Sequence, residues 1–193
     1  MRTGKDFDVI ILGGGPAGAS TAITLARSGL KVAVLERSCY DSVRVGETLP
    51  PEIKEFLARL NLWDVFRNDG HYASPGILAS WGSQQLYHND FILNPYGNGW
   101  HIARSRFDRM LVSASEEAGV CVYRGARVTA CTEERSGEWL LKVNAEGEHS
   151  TFSSKFVVEA TGRSRSPVIK PALQRTAFDK LNGCAYANIF PGF

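Results

Sequence analysis

An α/β fold is expected, with a parallel sheet at the N-terminus and a partial antiparallel β sheet attached to it. Three observations predict it: a complete strand–helix–strand unit within the first 36 residues, a glycine run between that unit's first strand and its helix, and a change of texture between His71 and His101. The 193 residues are 44% hydrophobic and 22% charged, the composition of a folded globular protein rather than a disordered or fibrous one. That length holds one sizeable core and part of a second.

Phe7 to Leu12 (FDVIIL) is a short, nearly continuous apolar run rich in β-branched residues, as expected of a strand covered on both faces. Ala19 to Ser28 carries alanines and aliphatics at helical spacing and stops at Gly29, so it reads as a helix. Lys31 to Leu35 (KVAVL) is the second buried strand. Pro50-Pro51 opens a helix through Leu60, with Ile53, Phe56, Leu57 and Leu60 on one face. From His71 to His101, short strand-like runs broken by Gly, Asn and Pro suggest an antiparallel excursion. Ser105 is a plausible N-cap for a helix over 106–118, with Gly119 as its stop. Strands follow at 120–123, 126–133, 139–144 and 155–160.

Composition also excludes partners. A net charge of +2, with no run of like charges, builds no field for nucleic acid or an anionic membrane. The apolar stretch Val9 to Gly15 is too short to span a bilayer and lacks a signal-peptide flank, so a cytoplasmic protein is expected. Cys39, Cys121, Cys131 and Cys184 lie far apart without metal or disulfide spacing and are expected to be buried thiols. His71, His88, His101 and His149 are scattered and are assigned to neither metal nor acid–base work.

The strongest chemical signal is Gly13-Gly14-Gly15-Pro16-Ala17-Gly18, a GxGxxG placed directly between strand and helix. Gly13 permits the tight turn, Gly15 lets a pyrophosphate approach the backbone, and Gly18 allows close helix–strand packing, while the helix start offers free N–H groups. Glu36 closes the next strand eighteen residues after Gly18, placed to accept hydrogen bonds from a ribose diol and to disfavour a 2′-phosphate. Pro16, Ala17 and Arg37 join the candidate cofactor set. The fold expected is therefore a Rossmann-like FAD/NAD(P)-binding domain, with FAD or NAD favoured over NADP.

Val158-Glu159-Ala160-Thr161-Gly162-Arg163-Ser164 brings another glycine-bearing turn to the C-terminal edge of the sheet. Together with GxGxxG it resembles the flavoprotein monooxygenase superfamily that includes p-hydroxybenzoate hydroxylase, geranylgeranyl reductases and flavin-dependent tryptophan halogenases. The similarity is closer to the halogenase-like branch, which also holds flavoproteins that mature quinone-cofactor enzymes. It rests on Val45-Gly46-Glu47-Thr48-Leu49-Pro50-Pro51 and Gly99-Trp100-His101-Ile102-Ala103-Arg104-Ser105-Arg106-Phe107-Asp108.

The resemblance implies FAD as cofactor. It implies that Arg44, Glu47 and Thr48 line the flavin side of the cleft, that Arg106 contacts FAD phosphate or ribitol, and that Thr161 and Gly162 lie beside the flavin. Arg44 and Arg106 also read as surface arginines, and Glu47 equally as a cap for the Pro-Pro helix. Trp81 and Trp100 are expected to pack in the core rather than stack on substrate. No catalytic side chain is named, because in flavin chemistry the cofactor makes the reactive species.

Residues 1–70 and 101–170 are expected to form a discontinuous FAD-binding domain, with 71–100 and 171–193 as partial substrate-domain strands. Oxygen activation and hydroxylation of an electron-rich substrate, aromatic or a protein side chain, is the expected activity. A flavin-dependent reductase or dehydrogenase is the enzymatic rival. Halogenation falls behind because the tryptophan halogenases use a lysine after the GE loop, and no lysine stands between Lys54 and Lys142. The superfamily's later Gly-Asp element is not found after Gly162, so a truncated chain holding roughly the first half of an enzyme is expected. An inactive nucleotide-binding fragment is the non-enzymatic rival. Expected partners are a small-molecule or peptide substrate, with NAD(P)H or a separate flavin reductase as electron source.

Overall fold

The computed structural model describes residues 5–41, 47–80, 82, 84–145 and 147–162. Arg44, Trp81, Cys184 and the expected strands over 171–193 lie outside them.

Strand β1 (Lys5–Leu12) leads into helix α1 (Pro16–Arg27) and strand β2 (Val32–Leu35). The helix begins at Pro16, three residues before the expected start, because proline at the first helical position sacrifices no hydrogen bond. Further along come β3 (Glu47–Leu49), α2 (Ile53–Arg59), α3 (Trp63–Asn68), β4 (Tyr72–Ser74), β5 (Gly76–Ala79), β6 (Tyr87–Asp90) and β7 (Gly99–Ile102). Helix α4 (Arg104–Glu117) and strands β8 (Cys121–Tyr123), β9 (Ala126–Glu133), β10 (Trp139–Ala145) and β11 (Glu148–Glu159) complete the described fold.

The main sheet has the order β8-β2-β1-β11-β10-β9. Its β8, β2, β1 and β11 run parallel, while β10 pairs antiparallel with both β11 and β9. Strand β1 is central and buried on both faces. Ile10 and Leu12 pack with Leu35, Leu141 and Phe152 on one side, and Val9 and Ile11 with Ala22, Val32 and Val34 on the other. Each such aliphatic contributes roughly 1.5–3 kcal/mol by leaving water.

Strand β11 starts seven residues before the expected Lys155. Its first half pairs with β10, and several of its side chains there, His149, Ser150 and Thr151 among them, are polar and exposed, so no apolar run marks it. A third core lies among the helices, where Leu57, Phe66, Phe107 and Leu111 meet Ile102 of β7. Trp100 packs edge-on against Trp63 and Phe66, at centroid distances of 5.8 and 5.1 Å.

The excursion is antiparallel as expected, but it forms two pieces: a β5-β6 hairpin and a β3-β7-β4 sheet. The latter joins Glu47–Leu49 to Gly99–Ile102 across the boundaries expected at 70/71 and 100/101. Phe56, read as inward-facing, is 61% exposed: α2 is only seven residues long and buries Leu57 instead. Two cysteines read as buried are exposed, Cys39 on the loop after β2 and Cys121 at the start of the edge strand β8, while Cys131 is half-buried. Among the described residues, no helix is long and apolar enough to cross a membrane.

Candidate functional site

Parallel strands release their loops at one edge, and the ends of β1, β2 and β11 meet there. The Gly13 amide donates to the Leu35 carbonyl at 2.9 Å, and that of Ala160 to Leu12 at 2.8 Å, so the three loops are tied together. Gly13 has a φ of 99°, and a Cβ there would sit 2.5 Å from the Ala160 carbonyl oxygen. The glycine thus lets Ala160-Thr161-Gly162 lie directly against the first loop. A Cβ on Gly18 would stand 1.9 Å from the Gly13 carbonyl oxygen, so this glycine sets the approach of α1 to the loop.

Gly15 differs from both. It is the N-cap of α1 with φ −74° and ψ −175°, and space is open around its missing Cβ for 4 Å. No side chain caps the helix, whose first intrahelical bond runs from Ala19 to the Gly15 carbonyl. The amides of Gly15, Ala17 and Gly18 therefore have no protein acceptor among the described residues, at the positive end of a 12-residue helix. A cradle lined by donors, with room where a side chain would stand, fits a diphosphate.

Glu36 is buried at the end of β2. One carboxylate oxygen accepts from the Gly14 amide at 2.7 Å, and the other from the Ser38 amide at 2.9 Å and its hydroxyl at 2.6 Å. The carboxylate so placed first orders its own two loops, a task the ribose expectation did not include. Arg37 is exposed beside it. The Thr161 hydroxyl donates to Glu159 at 2.9 Å. Thr48 is exposed, with its Oγ1 3.1 Å from Nδ1 of His101; Glu47 lies in β3.

The two arginines of the 104–108 segment part company. Helix α4 starts at Arg104 behind Ala103, two residues before the start expected from Ser105, so Ser105 is not the cap. Two residues rotate a side chain roughly 200° around a helix, so Arg104 and Arg106 point to opposite sides. Arg104 grips the fully buried Asp108 through two hydrogen bonds, at 3.1 and 3.3 Å. It also lines a cavity of about 180 Å³ with Pro16, Ser20, Leu49, Phe56 and Phe107, next to the glycine loop. Arg106 instead donates to the Asp69 carbonyl at 2.7 Å and lines a separate cavity with Val65, Arg109 and Glu117. Arg104 was not singled out from the sequence, where its Arg-x-x-x-Asp spacing to Asp108 would have marked it.

Outside the cleft, the His71 ring is buried against Phe66 and Phe107, with Nε2 3.3 Å from Asp69. Burial pushes its pKa below the ordinary value; Arg106 adds to this and Asp69 opposes it.

A parallel sheet that gathers its loops around unsatisfied helix amides makes this a dinucleotide-binding domain of the Rossmann type. Residues 6–188 match the family described as FAD binding domain, and the chain belongs to that family. A flavin-dependent halogenase of Armillaria mellea is 31% identical over 163 residues, 81% of this chain and 32% of that protein. A second one from the same organism is 30% identical over 195 residues, 96% of this chain and 37% of that protein. The chain thus spans about a third of the length of these curated relatives. Among solved structures, the myxobacterial chondrochloren halogenase superposes with a TM-score of 0.78 at 30% identity, over 85% of this chain and 39% of that one. The p-nitrophenol 4-monooxygenase of Pseudomonas putida, at 20% identity and a TM-score of 0.69 over 82% of this chain and 42% of that one, shares the fold.

Proposed function

We propose that this chain is the FAD-binding part of a flavin-dependent oxidoreductase that activates oxygen and hydroxylates an electron-rich substrate. The observation that carries the proposal is the set of Gly15, Ala17 and Gly18 amides, without a protein acceptor among the described residues, beside Glu36 and Thr161-Gly162 in a chain of the FAD-binding family. Those amides hold the diphosphate and Glu36 the adenosine ribose. Arg104, at the head of α4, adds positive charge toward the phosphates, in place of the Arg106 expected from sequence. Thr161 and Gly162 border the flavin half, and Thr48 lines its far side. Bound reduced FAD supplies the oxygen chemistry, and electrons reach it from NAD(P)H or a separate flavin reductase.

The described residues of the 71–100 segment supply the surface that faces the substrate, a small molecule or the side chain of a peptide. Its support is exposed apolar area: Leu78, Tyr87, Ile92 and Leu93 are between 60% and 92% exposed. Halogenation is the second reading, favoured by the flavin-dependent halogenases at 30–31% identity.

Titration of the purified chain with FAD, FMN and NAD, followed by flavin absorbance and fluorescence, tests the cofactor. FAD is expected to bind most tightly, and NAD binding without FAD binding would sink the proposal. Supplying reduced FAD, oxygen, bromide and electron-rich aromatic compounds, with mass spectrometry of the products, separates hydroxylation from halogenation. FAD binding with no oxygen use points to the reductase rival or an inactive fragment.

A further inference from the structure

Gly14, the middle glycine of the run, has no part in the dinucleotide fingerprint, yet its peptide groups are held from two directions. Its N–H donates to Glu36, and its carbonyl accepts from the Tyr40 hydroxyl at 2.8 Å. Tyr40 is buried and takes a left-handed backbone conformation, φ 60°, which a bulky side chain rarely adopts. A Cβ on Gly14 would lie 2.0 Å from that hydroxyl, against 3.2 Å from Cβ of Glu36 and 3.3 Å from the ring carbon bearing the hydroxyl, so the oxygen is the severe obstacle. Residue 14 is therefore a glycine because the Tyr40 hydroxyl occupies the space.

The peptide linking Gly14 to Gly15 is planar and trans, so its carbonyl and the following N–H point in opposite directions. Pinning the Gly14 carbonyl to Tyr40 turns the Gly15 N–H away from Tyr40 and toward the open cradle. We propose that Tyr40 is a positioning residue of the phosphate loop, whose hydroxyl aims the Gly15 amide at the diphosphate of the dinucleotide. The inference rests on the FAD-binding proposal and adds to it a residue 26 positions away in sequence, from a loop the fingerprint does not include.

Tyr40→Phe tests it, because the ring that fills the core remains and only the hydroxyl goes. The affinities for FAD and for ADP are each expected to fall about three- to tenfold, the worth of one buried neutral hydrogen bond that pre-orders a donor. The Gly15 amide proton resonance is expected to move downfield on ADP addition in the wild type and clearly less in the variant. A melting temperature is not the decisive readout; the resonance is, since loss of mere packing would leave it unchanged. Gly14→Ala supplies the second arm: it is expected to abolish binding on its own and to recover part of it in the Tyr40→Phe background, where the obstructing oxygen is absent. Equal affinities in Tyr40→Phe and wild type overturn the inference alone. A wild-type chain that binds neither FAD nor ADP overturns the underlying proposal. A Tyr40→Phe chain that fails to fold also overturns the inference, because the hydroxyl would then serve the fold and not the ligand.

Discussion

Gly15→Ala separates what the glycine loop does for the ligand from what it does for the fold. The backbone at Gly15, φ −74° and ψ −175°, is open to any residue and suits one that precedes proline. An added methyl meets no protein atom within 4 Å. Replacing an N-cap glycine by alanine costs about 0.5 kcal/mol, and the smaller entropy of the unfolded chain returns a similar amount. The melting temperature should thus move by no more than about 2 °C. The methyl does occupy the place through which a phosphate reaches the Gly15 and Ala17 amides. One charge-assisted hydrogen bond lost is worth about 1.5–3 kcal/mol, so the Kd for FAD should rise about 10- to 100-fold. Gly18→Ala is the contrast. Its methyl would stand 1.9 Å from the Gly13 carbonyl oxygen, a backbone overlap that only a shift of α1 relieves, at about 1–3 kcal/mol and several degrees of melting temperature. Isothermal titration with FAD and scanning calorimetry of the two variants check both halves. Wild-type affinity in Gly15→Ala, or a loss of stability matching that of Gly18→Ala, would refute the assignment of the cradle.

Arg104→Ala removes the guanidinium that grips the buried Asp108 one turn away, and should cost about 2–4 kcal/mol in urea unfolding while also weakening FAD. Arg106→Ala, whose guanidinium serves the Asp69 carbonyl, should keep the FAD affinity within about twofold, since only phosphate contacts carry the charge-assisted gain. Stability should fall on acidification through His71: unfolded histidine takes its proton near 6.5, the buried ring only at lower pH, so the protein is at full strength above that value and loses stability as pH drops below it. His71→Phe should show a smaller difference in urea midpoint between pH 7.5 and pH 5, and an equal difference in both proteins would count against the buried neutral ring. Burial pushes the Cys131 thiol up to about 11, so maleimide at neutral pH should label the exposed Cys39 and Cys121 first, as peptide mapping would show.

The βαβ core was legible because three independent signals agree over 36 residues. FDVIIL is too apolar for anything but a doubly covered strand, GGGPAG can only turn and start a helix, and Glu36 ends the second strand where a sugar would lie. The Ala160-Thr161-Gly162 turn was legible as well, and Gly13 touches it. What escaped was set by tertiary contacts. Ser105 has the chemistry of a cap, but Ala103 is held extended by the end of β7, and the helix begins there instead. The earlier start brings Arg104, and not Arg106, to the side of the helix that lines the cavity beside Pro16. The polar first half of β11 is a strand because β10 supplies its hydrogen bonds, which no periodicity announces. Tyr40 was invisible for a different reason: no sequence rule places a tyrosine in left-handed backbone, or pairs it with a carbonyl across 26 residues.

These escapes share a cause that bears on how the site works. The fingerprint residues Gly13, Gly15 and Gly18 act by lacking side chains, so their role can be read from identity and spacing alone. The residues that hold the loop, Glu36 with Ser38 behind it, and Tyr40, act through hydrogen bonds made only once β2 and its following turn are docked against β1. A glycine-rich loop left to itself would sample many conformations and lose much entropy on gripping a phosphate. Here both peptide groups of Gly14 are fixed by Glu36 and Tyr40, which follow β2, so that cost falls on folding and not on binding. A protein that kept the glycines but lost this second layer would retain the motif and bind its dinucleotide weakly, which is why the fingerprint alone is a poor measure of affinity.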